Sequence, residues 1–126
     1  MVGDVPRLRH IKFLIVDDHA PMRRTLRELL AAEGDDVREA GDGAQAEVAY
    51  EEQHPDWVIM DVQMQPVGGL VATRHITARH PEAKIVIITQ FDDPDLRASA
   101  RAAGALVCLT KDNLFAVQRF VRSNPF

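Results

Sequence analysis

Three carboxylates stand where apolar runs stop. Asp61 closes the run Trp57-Val58-Ile59-Met60, and the pair Asp17 and Asp18 closes Phe13-Leu14-Ile15-Val16. Acids placed directly after continuously apolar strands belong at the carboxyl edge of a parallel sheet, where α/β domains bind ligands. Carboxylates gathered at one edge repel one another, and a cation or protonation must relieve that repulsion. Two further runs, Ile85-Val86-Ile87-Ile88 and Leu106-Val107-Cys108-Leu109, lead into Thr89 and into Thr110-Lys111. Magnesium prefers oxygen ligands and keeps several waters, so an acid pair, a third carboxylate and a backbone carbonyl make a suitable half-shell. With Lys111 and Thr89 available to hold phosphoryl oxygens, one carboxylate is left as the nucleophile of an in-line phosphoryl transfer. Asp61, single and central, suits that role, and Asp17 and Asp18 work better together as metal ligands.

Each residue also has an ordinary reading. An Asp after a strand can form a turn or cap the next helix. Thr89 alone is a turn hydroxyl, and Lys111 alone is a solvated lysine ahead of a cap at Asp112 or Asn113. The ordered set on four separate strand ends outweighs these single readings. His19 adjoins the acid pair but has no second His or Cys at ligand spacing nearby. The remaining histidines, His10, His54, His75 and His80, are scattered, and exposure is expected for them.

The elements that must position this set alternate strand and helix five times, the signature of a doubly wound α/β domain. The pattern predicts strands near 12–17, 36–40, 56–60, 84–88 and 105–109. The first, third and fourth read as central; the second, Asp36-Val37-Arg38-Glu39-Ala40, is mixed, as an edge strand should be. A first helix opens at Pro21, carries Met22, Leu26, Leu29 and Leu30 at helical spacing, and is expected to end near Gly34. A second, about 44–53, has a thin buried side of Ala46, Ala49 and Tyr50. A third starts around Gly69-Leu70 and ends before Pro81. A fourth, about 93–103, is announced by Asp92-Asp93-Pro94 and buries little beyond Leu96, Ala100 and Ala103. A fifth, roughly 113–122, presents Leu114, Val117 and Val121.

At 126 residues, 46% hydrophobic and 27% charged, the chain has material for one packed core and too little for two. The reading is an N-terminal arm over 1–11, one domain over 12–122 and a short tail over 123–126, with Met1 expected as a natural start. A net charge of -4 gives no general electrostatic reason to bind nucleic acid or anionic membranes. One cysteine, Cys108, excludes an internal disulfide and fits a reducing, cytoplasmic setting. Apolar stretches are far shorter than the roughly 20 residues that span a bilayer.

Taken jointly, Phe13-Leu-Ile-Val-Asp-Asp18 with its Met22-Arg-Arg helix, Trp57-Val-Ile-Met-Asp61 with Met64 and Gly69-Leu70, Ile87-Ile-Thr89, and Gly104-Ala105 leading to Lys111-Asp112 resemble the CheY-like receiver domain of two-component response regulators. The resemblance covers about Lys12 to Arg122. It implies a flavodoxin-like (βα)5 fold with strand order 2-1-3-4-5. It implies that Asp61 accepts a phosphoryl group from a sensor histidine kinase or phosphotransfer protein. Asp18 would bind Mg²⁺ directly and Asp17 mainly through water, with Asp61 and the backbone carbonyl of Gln63 completing the protein ligands. Thr89 and Lys111 would hold the phosphoryl oxygens. Such a domain assists its own phosphorylation and dephosphorylation and is a switch more than a turnover enzyme.

Departures from the family pattern bear on readout. The proline usual four residues after the phosphoacceptor is replaced by Gln65, with Pro66 one place later, and the aromatic three residues before the lysine is replaced by Cys108. The Lys111-Asp112 ending resembles receivers of LuxR-type regulators, yet no helix-turn-helix follows in these residues, so direct DNA binding by them is not expected. Output then runs through a protein target, a homodimer or an output domain on a longer chain, with Phe115 or Phe120 as a contact. Two alternatives share the residues: a receiver-fold interaction module that works unphosphorylated, and a Mg²⁺-dependent phosphohydrolase with an aspartyl nucleophile. A flavin or dinucleotide site is disfavoured, because no Gly-rich loop follows the first strand.

Overall fold

In the computed structural model, which describes residues 10–124, five strands and five helices alternate along the chain. They are β1 (Lys12–Val16), α1 (Ala20–Leu30), β2 (Asp36–Ala40), α2 (Gly43–Gln53), β3 (Trp57–Asp61), α3 (Gly69–Arg79), β4 (Ile85–Thr89), α4 (Pro94–Ala103), β5 (Val107–Thr110) and α5 (Leu114–Ser123). Strands pair in parallel in the order β2-β1-β3-β4-β5, as the resemblance implies. Residues 1–9 of the expected arm and 125–126 of the expected tail lie outside the described residues. Within them, Ile11 belongs to the core and its N–H donates to the Asp35 carboxylate at 2.9 Å.

Side chains alternate across a strand, so each strand feeds two cores. Phe13, Ile15, Trp57, Ile59, Val86 and Ile88 meet Leu26 and Leu30 of α1 and Val117 and Val121 of α5. Leu14, Val16, Val58, Met60, Ile85 and Ile87 meet the small faces of α2, α3 and α4, among them Ala46, Ala49, Ala72, Ile76 and Ala100. With both faces covered, β3 and β4 are buried throughout, which is why they read as unbroken apolar runs. The β2 edge carries charges, with Glu39 gripped by Arg23 and Arg27 and Arg38 paired to Glu52. Every residue of β5, the other edge, is half-buried.

Several boundaries differ from the sequence expectation. α1 ends at Leu30, with Ala31 as its cap, and Gly34 serves the following turn at φ +90°. The Asp35 carboxylate accepts from the N–H of Ala32 at 2.8 Å and closes that turn, so local side-chain bonding ends the helix a turn early. β5 begins at Val107, because the N–H of Ala105 is still donated to Ala100 of α4 at 3.0 Å. Leu106 is exposed, although its N–H already donates to Ile85 of β4 at 2.8 Å. α4 buries only Ala100 and Ala103 and is capped by Asp93, as expected of a lightly held helix. His54 and His80 are not scattered: with Tyr50 they form a ring cluster, His54 to His80 at 5.7 Å and Tyr50 to His80 at 4.9 Å. Helix C-termini of α2 and α3 converge there, and Glu51 accepts from His80 at 2.8 Å. Phe120 packs edge-on against Trp57 at 6.1 Å and serves the core, while Phe115 is exposed.

Candidate functional site

Parallel pairing brings the ends of β1, β3 and β4 level, with Val16 opposite Met60 and Asp61 opposite Ile88. The residues just past these ends therefore share one edge. Carboxylate oxygens of Asp17, Asp18 and Asp61 come within 4.8 Å of one another. Lys111, just past β5, reaches back to this group: Nζ lies 2.9 Å from Asp17 Oδ2 and 3.1 Å from Asp61 Oδ1. Its position is set by its own N–H, donated to the carbonyl of Thr89 at 2.7 Å. Thr89 is buried at the end of β4, and its hydroxyl oxygen accepts from the N–H of Phe91 at 3.3 Å. Neither acid of the pair caps α1, whose cap position is His19 without a side-chain bond. Asp17 instead turns its Oδ1 to accept from the His19 N–H at 2.9 Å.

Asp17 is wholly buried and Asp18 exposed, so the site has a closed wall and an open mouth. The mouth continues as an open groove along Asp18, Val62, Gln63, Met64, Gln65 and Pro66. Within this loop the Gln65–Pro66 peptide is cis, and the N–H of Gly69 donates to Val62 at 3.1 Å as α3 begins. Gln63 is exposed, and its main chain lies beside the Asp61 carboxylate and favours its ionised form. Cys108, at the position where the family has an aromatic, is half-buried against the α2–α4 core, and burial pushes its thiol above its ordinary pKa.

Electrostatics favour a cation here. Burial, then the neighbouring Asp17 charge, pushes the Asp61 carboxyl above its ordinary value, while Lys111 and the Gln63 main chain pull the other way and lose. For Lys111, burial works against the ammonium, but Asp17 and then Asp61 outweigh it and raise its pKa. The ammonium lies 2.9 Å from the fully buried Asp17 Oδ2 and supplies the counter-charge there. An all-oxygen donor set of three clustered carboxylates fits a hard divalent cation such as Mg²⁺.

A stability prediction follows from the direction of the Asp61 shift. With its pKa raised in the fold, Asp61 stays protonated in the native state after it has ionised in the unfolded chain. Stability falls as pH rises through that window, and the penalty is complete above the folded pKa. Asp61→Asn removes the penalty, so without divalent ions it should unfold about 1 kcal/mol less readily at neutral pH, roughly 4 °C in Tm. The native-minus-variant difference in urea unfolding, followed from neutral to acid pH, should shrink towards zero; a difference flat with pH would refute the assignment.

A doubly wound α/β domain with an acidic pocket at its carboxyl edge and a lysine closing it defines a receiver-type architecture. Residues 13–119 match the response regulator receiver domain, and the chain belongs to that family. It is 43% identical over 108 residues to the transcriptional regulatory protein PdtaR of Mycobacterium tuberculosis, which spans 85% of this chain and 50% of that relative. Among solved structures, a LuxR-family two-component response regulator from Aurantimonas shares 30% identity with TM-score 0.80, over 92% of this chain and 88% of that one. A CheY from Borrelia burgdorferi, crystallised with CheX, BeF3 and magnesium, gives TM-score 0.81 at 24% identity, over 90% and 88% of the two chains. The chain spans about half the length, or less, of the curated relatives it matches. It is thus a receiver domain of two-component signalling, a class that meets histidine kinases and downstream effectors. Among the described residues, no helix is long and apolar enough to cross a membrane.

Proposed function

We propose that Asp61 is the phosphoacceptor of this receiver and that Mg²⁺ occupies the pocket of Asp17, Asp18 and Asp61 during transfer. The observation that carries the reading is the convergence of three carboxylates within 4.8 Å, two of them shared by the Lys111 ammonium. An Asp61 oxygen attacks the phosphorus of a phosphohistidine; the P–N bond breaks as the P–O bond forms, and the imidazole leaves with a proton. Asp17, Asp18, Asp61 and the Gln63 carbonyl would hold the Mg²⁺, which when bound would supply charge neutralisation for the phosphoryl oxygens. Lys111 exchanges its contact with Asp61 for a phosphoryl oxygen, and the Thr89 hydroxyl donates to another. The phosphoryl donor is a histidine kinase or phosphotransfer protein. Output passes through the exposed apolar groups beside β5, Phe91, Leu106 and Phe115, to a protein target, a second copy or an output domain.

Intact mass after incubation with a small acyl phosphate, with and without Mg²⁺, tests this on the native chain and on Asp61→Asn. The expected result is one phosphoryl adduct that needs Mg²⁺ and is absent from the variant. No adduct on a folded native chain, with kinase as donor as well, would favour a module that works unphosphorylated.

A further inference from the structure

We propose that Arg23 is a positioning residue for the acidic pocket: anchored on Glu39, it holds the turn that carries Asp17 and Asp18 and so sets the affinity for the divalent cation. The inference rests on the reading that the pocket takes such a cation.

The turn between β1 and α1 is only Asp17-Asp18-His19, and two of the three pocket carboxylates ride on it. Its main chain is held from two sides. The N–H of Asp17 donates to the carbonyl of Ala40 at the end of β2 at 3.1 Å, and the carbonyl of Asp17 accepts from Arg23 Nη1 at 2.6 Å. Arg23 Nε donates to Glu39 Oε1 at 2.8 Å, and Arg27 binds the other oxygen, Oε2, at 2.7 Å. Both arginines hold the Glu39 carboxyl below its ordinary value, Arg27 foremost. The guanidinium therefore spans a rigid strand residue and the acid turn, using the planar fork that suits such two-point contacts.

Its place in the helix argues against a merely decorative surface pair. Arg23 lies in the first turn of α1, a helix with no acidic residue there and no side-chain cap. A cation at that end opposes the helix dipole. The opposition is offset by the Asp17 carbonyl, which belongs to a pocket residue, and by the Glu39 carboxylate on β2. Groups that orient metal ligands without touching the ion typically change affinity by roughly tenfold or more when removed.

Arg27 supplies the internal control, because its guanidinium grips Glu39 as that of Arg23 does but bonds Glu39 alone among the described residues. Mn²⁺, a spectroscopic stand-in for Mg²⁺, is titrated into the full chain by electron paramagnetic resonance, with urea unfolding in the absence of divalent ions run alongside. Arg23→Gln should weaken Mn²⁺ binding about tenfold and Arg27→Gln less than twofold, while the two lose similar stability. Glu39→Gln, which keeps Arg23 but frees its anchor, should weaken binding about threefold and decides the matter if Arg23→Gln does not fold. Native-like binding by the folded Arg23 and Glu39 variants, or equal weakening by Arg27→Gln, would overturn the proposal and leave the pocket reading intact. A native chain that binds no Mn²⁺ would overturn both.

Discussion

Lys111→Met is expected to lose about 3 kcal/mol of unfolding free energy in the absence of divalent ions, and Mg²⁺ is expected to restore much of it. One ammonium serves two buried carboxylates, at 2.9 Å from Asp17 and 3.1 Å from Asp61. Methionine fills a similar volume, so the packing change is small and the loss reports the stranded charges. Breaking such a pair costs more than the pair contributes, because a buried carboxylate then has neither water nor counter-charge. The ammonium and a cation compete for the same oxygens, so the variant should gain more from saturating Mg²⁺ than the native chain does. Urea unfolding of both proteins across a Mg²⁺ series tests this. A loss below about 1 kcal/mol, or an equal response to Mg²⁺, would mean that solvent already screens the group.

Gly69→Ala should cost about 3 kcal/mol and slow phosphorylation of Asp61. A β-carbon at this position would sit 2.0 Å from the carbonyl oxygen of Asp61 and 2.9 Å from its carbonyl carbon, both backbone atoms of a buried strand. Neither can move aside as a flexible side chain would, so the start of α3 or the phosphoacceptor itself must shift. Gly68→Ala is the matched comparison, since its β-carbon would come no closer than 3.4 Å to the Val62 carbonyl. Unfolding curves and acyl-phosphate adduct rates should separate the two variants clearly. Equal behaviour would show that the loop yields where the geometry says it is tight.

Much of this was legible in the residues. β3 and β4 announce themselves because strands covered on both faces need unbroken apolar runs, and β2 because an edge can carry Arg38 and Glu39. The acids, Thr89 and Lys111 could be placed on one edge because parallel strands end together. What escaped depends on contacts between distant segments. The early end of α1 comes from the Asp35 carboxylate, which bonds both Ala32 and Ile11, and the ring cluster of Tyr50, His54 and His80 exists only once α2 and α3 are side by side. The bond from Arg23 to the Asp17 carbonyl was equally hidden, since a main-chain acceptor leaves no mark in residue type. A basic residue in the first turn of a helix without acids was the available signal.

The two ends of the sheet differ in kind. At the amino ends of the strands, Lys12 bonds Asp56 and the Gln53 carbonyl, the Gln53 amide bonds the Phe13 carbonyl, and Thr77 bonds Ala103. The Lys84 ammonium also rests 4.6 Å from the Trp57 ring centre. Those contacts join neighbouring elements, whereas the carboxyl ends gather like charges. The molecule is thereby divided between a keel and a deck. The deck carries like charge that the Lys111 ammonium offsets, while the keel supplies joints that owe nothing to that site.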